Sequence, residues 1–389
     1  MTSFANRIEP MPAKPVLSVC LDDSPVLGGL SLGIRDMAEA LGGQILSLDS
    51  GRLPSSQDDA RWNIHRLDVG RGPLVSRHLR LRRQVATAID AAIAQSSLVV
   101  CHSLYRSHLP FIRRSCLRHA VPYWVVAHGM LDQWVVSRHA GWKRAWLMLA
   151  GMRCLADAER VIFNTEAERA KASRWCRPGN ALVIPWPVDL PNVSDRERCR
   201  AELRSQLGIP ATDRILLWLS RYDSLKRPLH TVAAFAAASQ PGWHLVMAGY
   251  DGDLTLEAVE QAARQQGDAS IRVLGPVEGE AKRQLLMASD AFVSLSWREN
   301  FGYSLADAAA HGLCGAYAID HDLVEAMPEQ SRQWVAEDHS LREAARVLKT
   351  IMSADESTRS NAGTAGRGWA RELLTRERFR SVLRAATKA

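Results

Sequence analysis

The stretch Ser296-Trp-Arg-Glu-Asn-Phe-Gly-Tyr-Ser-Leu-Ala-Asp-Ala-Ala-Ala-His-Gly312 follows an apolar, strand-like run and opens a small-residue helix. We therefore expect Glu299 and the next three amides at the carboxyl end of a strand and the N-terminus of a helix. Ligands of open α/β sheets bind at such ends, and free helix N-terminal N–H groups suit a phosphate. Asp307, one turn beyond Tyr303, adds a carboxylate that can face the same crevice. Two carboxylates at such a helix start suit a ligand with hydroxyls and phosphates, such as a nucleotide sugar.

Short apolar runs alternate with longer helix-like segments along the chain, which is typical of parallel α/β domains. The segment Pro185–Pro191 contains three prolines in seven residues, and repeated prolines break helices and sheets. We predict two similar α/β halves joined by this hinge, with a last basic helix at Glu372–Ala386. The predicted strands are Val16–Leu21, Gln44–Leu48, Leu98–Cys101, Tyr123–Ala127, Val161–Asn164 and Leu182–Pro185, then Arg214–Ser220, Trp243–Ala248, Ile271–Leu274, Ala291–Ser296 and Gly315–Ile319.

The composition excludes several classes of protein. Hydrophobic residues make up 47% and charged residues 23% of the 389 residues, which is ordinary for a globular protein. No apolar run is long enough to span a bilayer, and the first residues lack the apolar core of a secretory signal. We therefore expect a cytoplasmic protein. Seven scattered cysteines without a Cys-x-x-Cys pair indicate reduced, buried thiols.

Positive charge is concentrated in the first half of the chain. Residues 1–190 contain 24 Lys and Arg against 16 Asp and Glu, and the remainder contains 25 against 26. The densest basic run is Arg71–Arg83, and Arg113, Arg114 and Arg118 follow it. Such a surface could attract anionic lipid head groups, a diphosphate-bearing acceptor or nucleic acid, and a solvated helix face explains it equally well. No nucleic-acid-binding motif accompanies it, so we expect no nucleic acid partner.

Polar or glycine residues follow three predicted strands in the first half. The pair Gly28 and Gly29 lets the backbone approach a ligand closely, and a simple turn explains it equally well. His128 begins His-Gly-Met-Leu-Asp directly after a strand, where an imidazole can bind a sugar hydroxyl or titrate near neutral pH. His102 has the same placement in a less distinctive context, which favours a satisfied polar group.

Arg221 and Lys226 follow the first predicted strand of the second half. At a strand end they could converge on a diphosphate, Arg221 as a bidentate fork and Lys226 as a point charge. There they would stabilise negative charge on a leaving phosphate. Two exposed charges on a loop are the alternative interpretation. No Asp-x-Asp pair is suitably placed to hold a metal ion, so we predict neither a metal nor a cofactor.

These segments together resemble the retaining glycosyltransferases of the GT-B fold, specifically glycosyltransferase family 4. The similarity covers nearly the whole chain, and the most specific motifs lie at 220–228 and 299–307. The run His-Gly-Met-Leu-Asp-Gln-Trp at 128–134 is similar to bacterial members that build surface polysaccharides. The resemblance implies two Rossmann-like domains that face a central cleft and a last helix that crosses back to the first domain, with limits at residues 1–190, 191–370 and 371–389.

The resemblance also implies roles for individual residues. Glu299 would hold a hydroxyl of the donor sugar, and His128 would reach the sugar from the first domain. Arg221 and Lys226 would grip the diphosphate, and these four are the candidate catalytic residues. Asp307 would bind the ribose hydroxyls, although the family usually has the longer Glu there. The other donor contacts would come from Gly29, Val277, Asn300, Phe301 and Gly302.

We therefore expect the chain to transfer a hexose, with retention of anomeric configuration, from a GDP- or UDP-sugar to a saccharide or a lipid-diphosphate-linked saccharide. The product would be an exopolysaccharide or a lipopolysaccharide. Peripheral contact with the anionic inner face of the plasma membrane would accompany this activity. Two alternatives stay open. One is a nucleotide-sugar epimerase on the same fold. The other is a catalytically silent nucleotide-sugar-binding partner, which Asp307 and the unusual stretch after Gly312 make credible.

Overall fold

The computed structural model describes residues 14–21, 23–24, 28–48, 62–67, 83–105, 108–137 and 140–388. Most of the basic run Arg71–Arg83 lies outside the described residues. The chain divides into two compact units, the first comprising Met1–Ser24, Leu30–Ile162 and Ala172–Leu182, the second Pro25–Gly29, Phe163–Lys171 and Val183–Ala389. The predicted domain limits at residues 190 and 370 stay predictions, because compact units do not define domains.

The first sheet has seven strands in the order β3-β2-β1-β4-β5-β6-β7. Strand β1 pairs in parallel with β2 and β4, and β5 pairs in parallel with β4 and β6. The strands are β1 (Val16–Cys20), β2 (Gln44–Ser47), β3 (Ile64–Arg66), β4 (Leu98–His102), β5 (Tyr123–Val126), β6 (Arg160–Phe163) and β7 (Ala181–Val183). Its helices are α1 (Gly29–Ala40), α2 (Arg83–Ala94), α3 (His108–His119), α4 (Gln133–Ser137), α5 (Ala140–Trp146), α6 (Met152–Asp157) and α7 (Glu166–Ala172), with a π-helix at Leu147–Gly151.

The second sheet has six strands in the order β10-β9-β8-β11-β12-β13, and these strands pair in parallel. The strands are β8 (Arg214–Leu219), β9 (Trp243–Ala248), β10 (Ile271–Leu274), β11 (Ala291–Ser294), β12 (Cys314–Tyr317) and β13 (Trp334–Val335). The helices are α8 (Arg196–Leu207), α9 (Pro228–Ala238), α10 (Leu256–Gln265), α11 (Gly279–Ala288), α12 (Tyr303–Ala310), α13 (Asp322–Glu325), α14 (Leu341–Ser353), α15 (Glu356–Leu373) and α16 (Arg376–Ala386). Alternate residues of the central strands, such as Leu216, Trp218, Ala291 and Val293, form the core of this unit.

The predicted α/β class and the predicted strands are confirmed, each strand lying within two residues of its expected limits. The prediction missed β3 and β13, which are the edge strands of their sheets and too short to show an alternating pattern. The predicted last basic helix is confirmed over Arg376–Ala386, but its predicted start at Glu372 is wrong. Helix α15 ends at Leu373, and a new helix starts at Arg376, because the Thr375 hydroxyl accepts a hydrogen bond from the Arg378 N–H at 3.2 Å.

The proline segment Pro185–Pro191 contains no helix or strand, as predicted, but it is packed rather than exposed. Trp186 is buried, with its ring centroid 5.7 Å from that of Phe379 in α16. The Val188 N–H donates to the Leu374 carbonyl at 2.8 Å. Six of the seven free cysteines are buried and Cys176 is partly buried, as expected. No helix among the described residues is long and apolar enough to cross a membrane.

Candidate active site

Beyond β11 the chain continues as an irregular segment held between two neighbouring loops. The Trp297 N–H donates to the Leu225 carbonyl at 2.9 Å, in the connection that follows β8. Glu299 and His321 form an isolated parallel bridge, and the Asp322 N–H donates to the Glu299 carbonyl at 2.9 Å. Because β8, β11 and β12 are adjacent, these bonds hold Glu299 where three strands end. Ligands of parallel sheets bind at this edge.

The turn from Asn300 to Gly302 presents its backbone rather than its side chains. Phe301 is buried, and its ring lies edge-on to that of Tyr303 at 5.2 Å, which anchors the turn. Gly302 has a φ of 72°, and a Cβ there would lie 2.8 Å from the Glu299 Cγ, so a glycine is required on both grounds. Helix α12 then begins without a side-chain cap, and its first N–H groups lack intrahelical partners. This helix start can therefore accept an anion.

Lys226 and Glu299 form an ion pair at the centre of this arrangement, with their side chains 21% and 17% exposed. Burial would raise the pKa of the Glu299 carboxyl, but the Lys226 ammonium and a hydrogen bond from Ser296 outweigh it and lower the pKa. Glu299 is therefore an ionised carboxylate at neutral pH. Such a carboxylate accepts hydrogen bonds from hydroxyls, and the adjacent ammonium offers a positive charge to a phosphate.

Arg221 lies in the same β8–α9 connection but pairs with a different carboxylate. Its guanidinium is 2.7 Å from the Asp223 carboxylate, and its side chain is 37% exposed. The connection is held by the buried Arg227, which the sequence analysis did not consider. Arg227 donates to the His339 carbonyl at 2.8 Å and lies 4.4 Å from the centroid of the Trp297 ring. These contacts tie the loop carrying Lys226 to the segment carrying Glu299.

Asp307 projects from α12 and pairs with Lys282 of α11 at 2.5 Å. The side chains are 13% and 28% exposed, respectively. Lys282 was not predicted as a site residue, because in the sequence it stands among charged residues on a helix, where a lysine is usually solvated. Val277 lies half-buried in the connection between β10 and α11.

His321 is a second residue that the sequence analysis missed. It is buried beside Glu299, and its Nε2 lies 3.4 Å from the Ser296 carbonyl oxygen. Its Nδ1 has no hydrogen-bond partner among the described residues. Burial lowers the pKa of His321 to about 4, so the imidazole is neutral at pH 7. The residue also lines a cavity of about 340 Å³ at the carboxyl ends of β12 and β13, together with Ile319, Asp320 and Arg332.

His128 lies in the first unit and has a left-handed backbone, with a φ of 48°. Its Nε2 is 3.0 Å from Nδ1 of the fully buried His102, and the two rings stack with centroids 5.3 Å apart. Burial lowers the pKa of His128 to about 3 and that of His102 well below its usual value. Both rings are therefore neutral at pH 7, and one must donate to the other. Gly29 begins α1 directly after Gly28, whose φ is 60°.

The second unit thus brings Lys226 together with Glu299 beside the start of α12. Arg221 pairs instead with the Asp223 carboxylate, and Asp307 pairs with the Lys282 ammonium. A parallel sheet with a cation, an ionised carboxylate and an uncapped helix start at its carboxyl edge is suited to bind a ligand that carries both hydroxyls and phosphates.

The "Glycosyl transferases group 1" family model matches residues 200–369, and the "Glycosyl transferase 4-like domain" model matches residues 28–187. Together they cover most of the chain, and the residues from Arg221 to Asp307 fall within the first. The two models together confirm the expected resemblance to glycosyltransferase family 4 of the GT-B fold.

Curated relatives are similar over part of their length. A D-inositol 3-phosphate glycosyltransferase of Salinispora arenicola is 28% identical over 51% of this chain and 48% of the relative. A GDP-mannose:cellobiosyl-diphosphopolyprenol alpha-mannosyltransferase of Xanthomonas oryzae pv. oryzae is 27% identical over 46% of this chain and 47% of the relative. The chain therefore matches about half the length of these proteins.

Solved structures match over nearly the whole chain. Anabaena Alr3699/HepE in complex with UDP and glucose aligns with a TM-score of 0.78 and 16% identity, over 96% of this chain and 99% of that one. WaaG, a glycosyltransferase involved in lipopolysaccharide biosynthesis, aligns with a TM-score of 0.66 and 14% identity, over 94% and 99%. At these identities the likeness shows the fold, and the expected GT-B class is confirmed.

Proposed function

We propose that this chain transfers a hexose from a nucleoside-diphosphate sugar to a hydroxyl of a saccharide acceptor, with retention of anomeric configuration. The observation that carries the proposal is the Lys226–Glu299 ion pair beside the uncapped start of α12. The ionised carboxylate suits sugar hydroxyls, and the ammonium and helix N–H groups suit a diphosphate. The UDP and glucose bound by the Anabaena protein and the GDP-mannose named for the Xanthomonas relative support a UDP- or GDP-sugar.

In the proposed reaction the bond between the anomeric carbon and the phosphate oxygen breaks, and its electron pair stays on the departing diphosphate. The acceptor hydroxyl attacks the anomeric carbon from the same face, and its proton passes to the departing phosphate oxygen. Lys226, Arg221 and the first N–H groups of α12 stabilise the charge that develops on the diphosphate. Neutral His128 exchanges a hydrogen bond with a sugar hydroxyl. These groups act without a metal ion, so activity is expected to survive EDTA.

For the acceptor we propose a lipid-diphosphate-linked saccharide at an anionic membrane surface, in exopolysaccharide or lipopolysaccharide synthesis. The support is a surface of the first unit on which large apolar side chains stand among cations. Met148 and Leu149 are 67% and 78% exposed. The other exposed apolar residues on α3, α5 and α6 are Leu117, Trp142 and Met152, and the exposed cations are Arg114, Arg118, Arg144 and Arg153. This combination suits anionic lipid head groups and the acyl boundary beneath them.

Sedimentation with liposomes tests the membrane part of the proposal. Binding is expected to vesicles containing phosphatidylglycerol and not to vesicles of phosphatidylcholine alone. The double variant Met148→Gln/Leu149→Gln should bind less, while Leu341→Gln, an exposed leucine of the second unit, should bind like the wild type. Equal sedimentation with both vesicle types would remove this part of the proposal and leave the transfer reaction untouched.

Calorimetry against GDP-, UDP-, ADP- and dTDP-sugars, followed by product analysis, tests the reaction itself. One donor should bind to the wild type and bind less to Glu299→Ala and Lys226→Ala. Transfer to an acceptor with an unchanged anomeric configuration by NMR supports the proposal. Conversion of the donor without an acceptor would favour the epimerase. Binding without any conversion would favour the silent partner, and absence of binding would exclude all three.

A further inference from the structure

Lys282 and Asp307 form an ion pair, and the remaining donors and acceptors of the two charged groups have no hydrogen-bond partner among the residues that the structure describes. Lys282 of α11 donates a hydrogen bond to the Oδ2 of Asp307 in α12 at 2.5 Å. The Asp307 Oδ1 accepts no hydrogen bond from the described residues, and the Lys282 Nζ has no second hydrogen-bond partner among them. Both side chains keep some solvent access, at 13% for Asp307 and 28% for Lys282. A small ligand can therefore reach both groups.

The pair combines an acceptor and a donor next to each other. An ionised carboxylate is acceptor-only, while an ammonium has three N–H donors, of which Asp307 takes one. Each hydroxyl of a vicinal diol can donate one hydrogen bond and accept another. One hydroxyl can therefore donate to the Asp307 Oδ1 while its neighbour accepts from the Lys282 Nζ. A lone Asp would have to contact both hydroxyls by itself.

We infer that Lys282 is a second nucleoside-binding residue, and that it and Asp307 together recognise the 2′,3′-diol of a ribonucleoside diphosphate. This inference rests on the proposed function, because it assumes that a nucleotide sugar binds at this edge of the second sheet. It adds one residue, Lys282, that touches the donor and determines how strongly ribonucleotides are preferred over their deoxy analogues. It also gives a reason why the short Asp307 suffices, since Lys282 supplies the second contact.

A purely structural ion pair that joins α11 to α12 is the competing explanation. Such a pair contributes to stability and has no reason to distinguish one nucleotide sugar from another. Both explanations allow the loss of Lys282 to weaken nucleotide binding. They differ in whether the affinity for a ribonucleotide falls more than the affinity for its deoxy analogues.

Isothermal calorimetry on the full chain separates them, with UDP or GDP, whichever the wild type binds, and its 2′-deoxy and 3′-deoxy analogues. The wild type should bind the ribonucleotide about tenfold more tightly than at least one deoxy analogue, as expected for one hydrogen bond to a charged group. Lys282→Met should weaken ribonucleotide binding about tenfold, hardly change binding of that analogue, and so abolish the discrimination. Lys282→Arg should retain part of it.

Lys349→Met, at an exposed lysine of α14, is the matched control and should bind all nucleotides like the wild type. Urea unfolding checks that Lys282→Met is folded. Equal weakening for the ribonucleotide and both analogues, or unchanged discrimination, would overturn the role of Lys282 while leaving the proposed function in place. No nucleotide binding to the wild type would overturn both.

Discussion

Replacing Lys226 by Met tests the electrostatics of the site in a way that needs no substrate. Methionine keeps much of the length of the lysine stem but removes the ammonium that neutralises Glu299. With that charge gone, burial dominates, and the pKa of the Glu299 carboxyl moves from below its usual value to above it. The substitution should therefore change how folding stability depends on pH, in addition to lowering it.

The expected magnitude follows from the exposure of the pair. Breaking a fully buried ion pair costs about 3–5 kcal/mol, and an exposed pair contributes less than about 1 kcal/mol. The Lys226 and Glu299 side chains are 21% and 17% exposed, which is nearer the buried limit. We expect Lys226→Met to lower the free energy of unfolding by about 2–3 kcal/mol at pH 7. At pH 4, where the variant's Glu299 is protonated, the loss should shrink to about 1 kcal/mol, the value of a lost hydrogen bond.

The sign follows from linkage. In the wild type the lowered pKa of Glu299 gives a stabilisation that is present above the carboxyl's unfolded pKa and is lost as pH falls through the lowered value. In the variant the raised pKa of Glu299 gives a contribution to the free energy of unfolding that is present at low pH and is lost as the pH rises through the raised pKa. The difference between the two stability curves must therefore widen from pH 4 to pH 7.

Urea unfolding of both proteins at half-unit pH steps measures this difference. Groups remote from Lys226 titrate alike in both proteins and cancel. Both proteins carry His321→Asn, because the Lys226 ammonium also lowers the pKa of His321. Lys349→Met controls for the loss of a lysine and should track the wild type at every pH. Glu299→Gln combined with Lys226→Met should recover part of the lost stability, because no uncompensated charge remains. A destabilisation of constant size across the whole pH range would refute the reasoning, since it would mean that the ammonium does not control the ionisation of Glu299.

Three further substitutions probe other parts of the site. Gly302→Ala should cost about 1–3 kcal/mol in urea unfolding and weaken nucleotide binding in calorimetry, because its Cβ needs a left-handed backbone and collides with Glu299; unchanged stability would contradict this. Because the pKa of His321 is lowered to about 4, the free energy of unfolding should decrease as the pH falls below 6.5. His321→Asn should reduce the slope of the free energy of unfolding against pH in that range by up to about 1.4 kcal/mol per pH unit. His102→Phe removes the imidazole that is hydrogen-bonded to His128, and it should weaken binding of the donor sugar about tenfold without changing the affinity for the free nucleoside diphosphate in calorimetry; an equal loss of nucleoside diphosphate affinity would indicate a structural role instead.

The strand-end positions were predictable because the sheet itself determines them. Lys226 follows β8 and Glu299 follows β11, and the carboxyl ends of neighbouring parallel strands meet at one edge. Two acidic or basic residues at such ends are therefore close whatever their separation in the chain. The short edge strands β3 and β13 were not predictable by the same reasoning, since two or three residues show no alternation. The break at Thr375 was missed because the helical pattern on both sides hides a single capping residue.

Contacts between side chains on crossover helices depend on how the helices pack, and not on where the strands end. This is why Lys282 was not predicted. The axial rotation and position of α11 and α12 follow from side-chain packing, which a strand-end rule does not describe. Lys282 therefore looks like any solvated lysine until the helices are placed, and only then does it neutralise Asp307. Considered alone, Asp307 is a shortened substitute for a glutamate, and its length argues for weakened ribose binding. Considered with Lys282, it is one half of a donor–acceptor pair, and the same shortness leaves room for an ammonium that a longer carboxylate would displace.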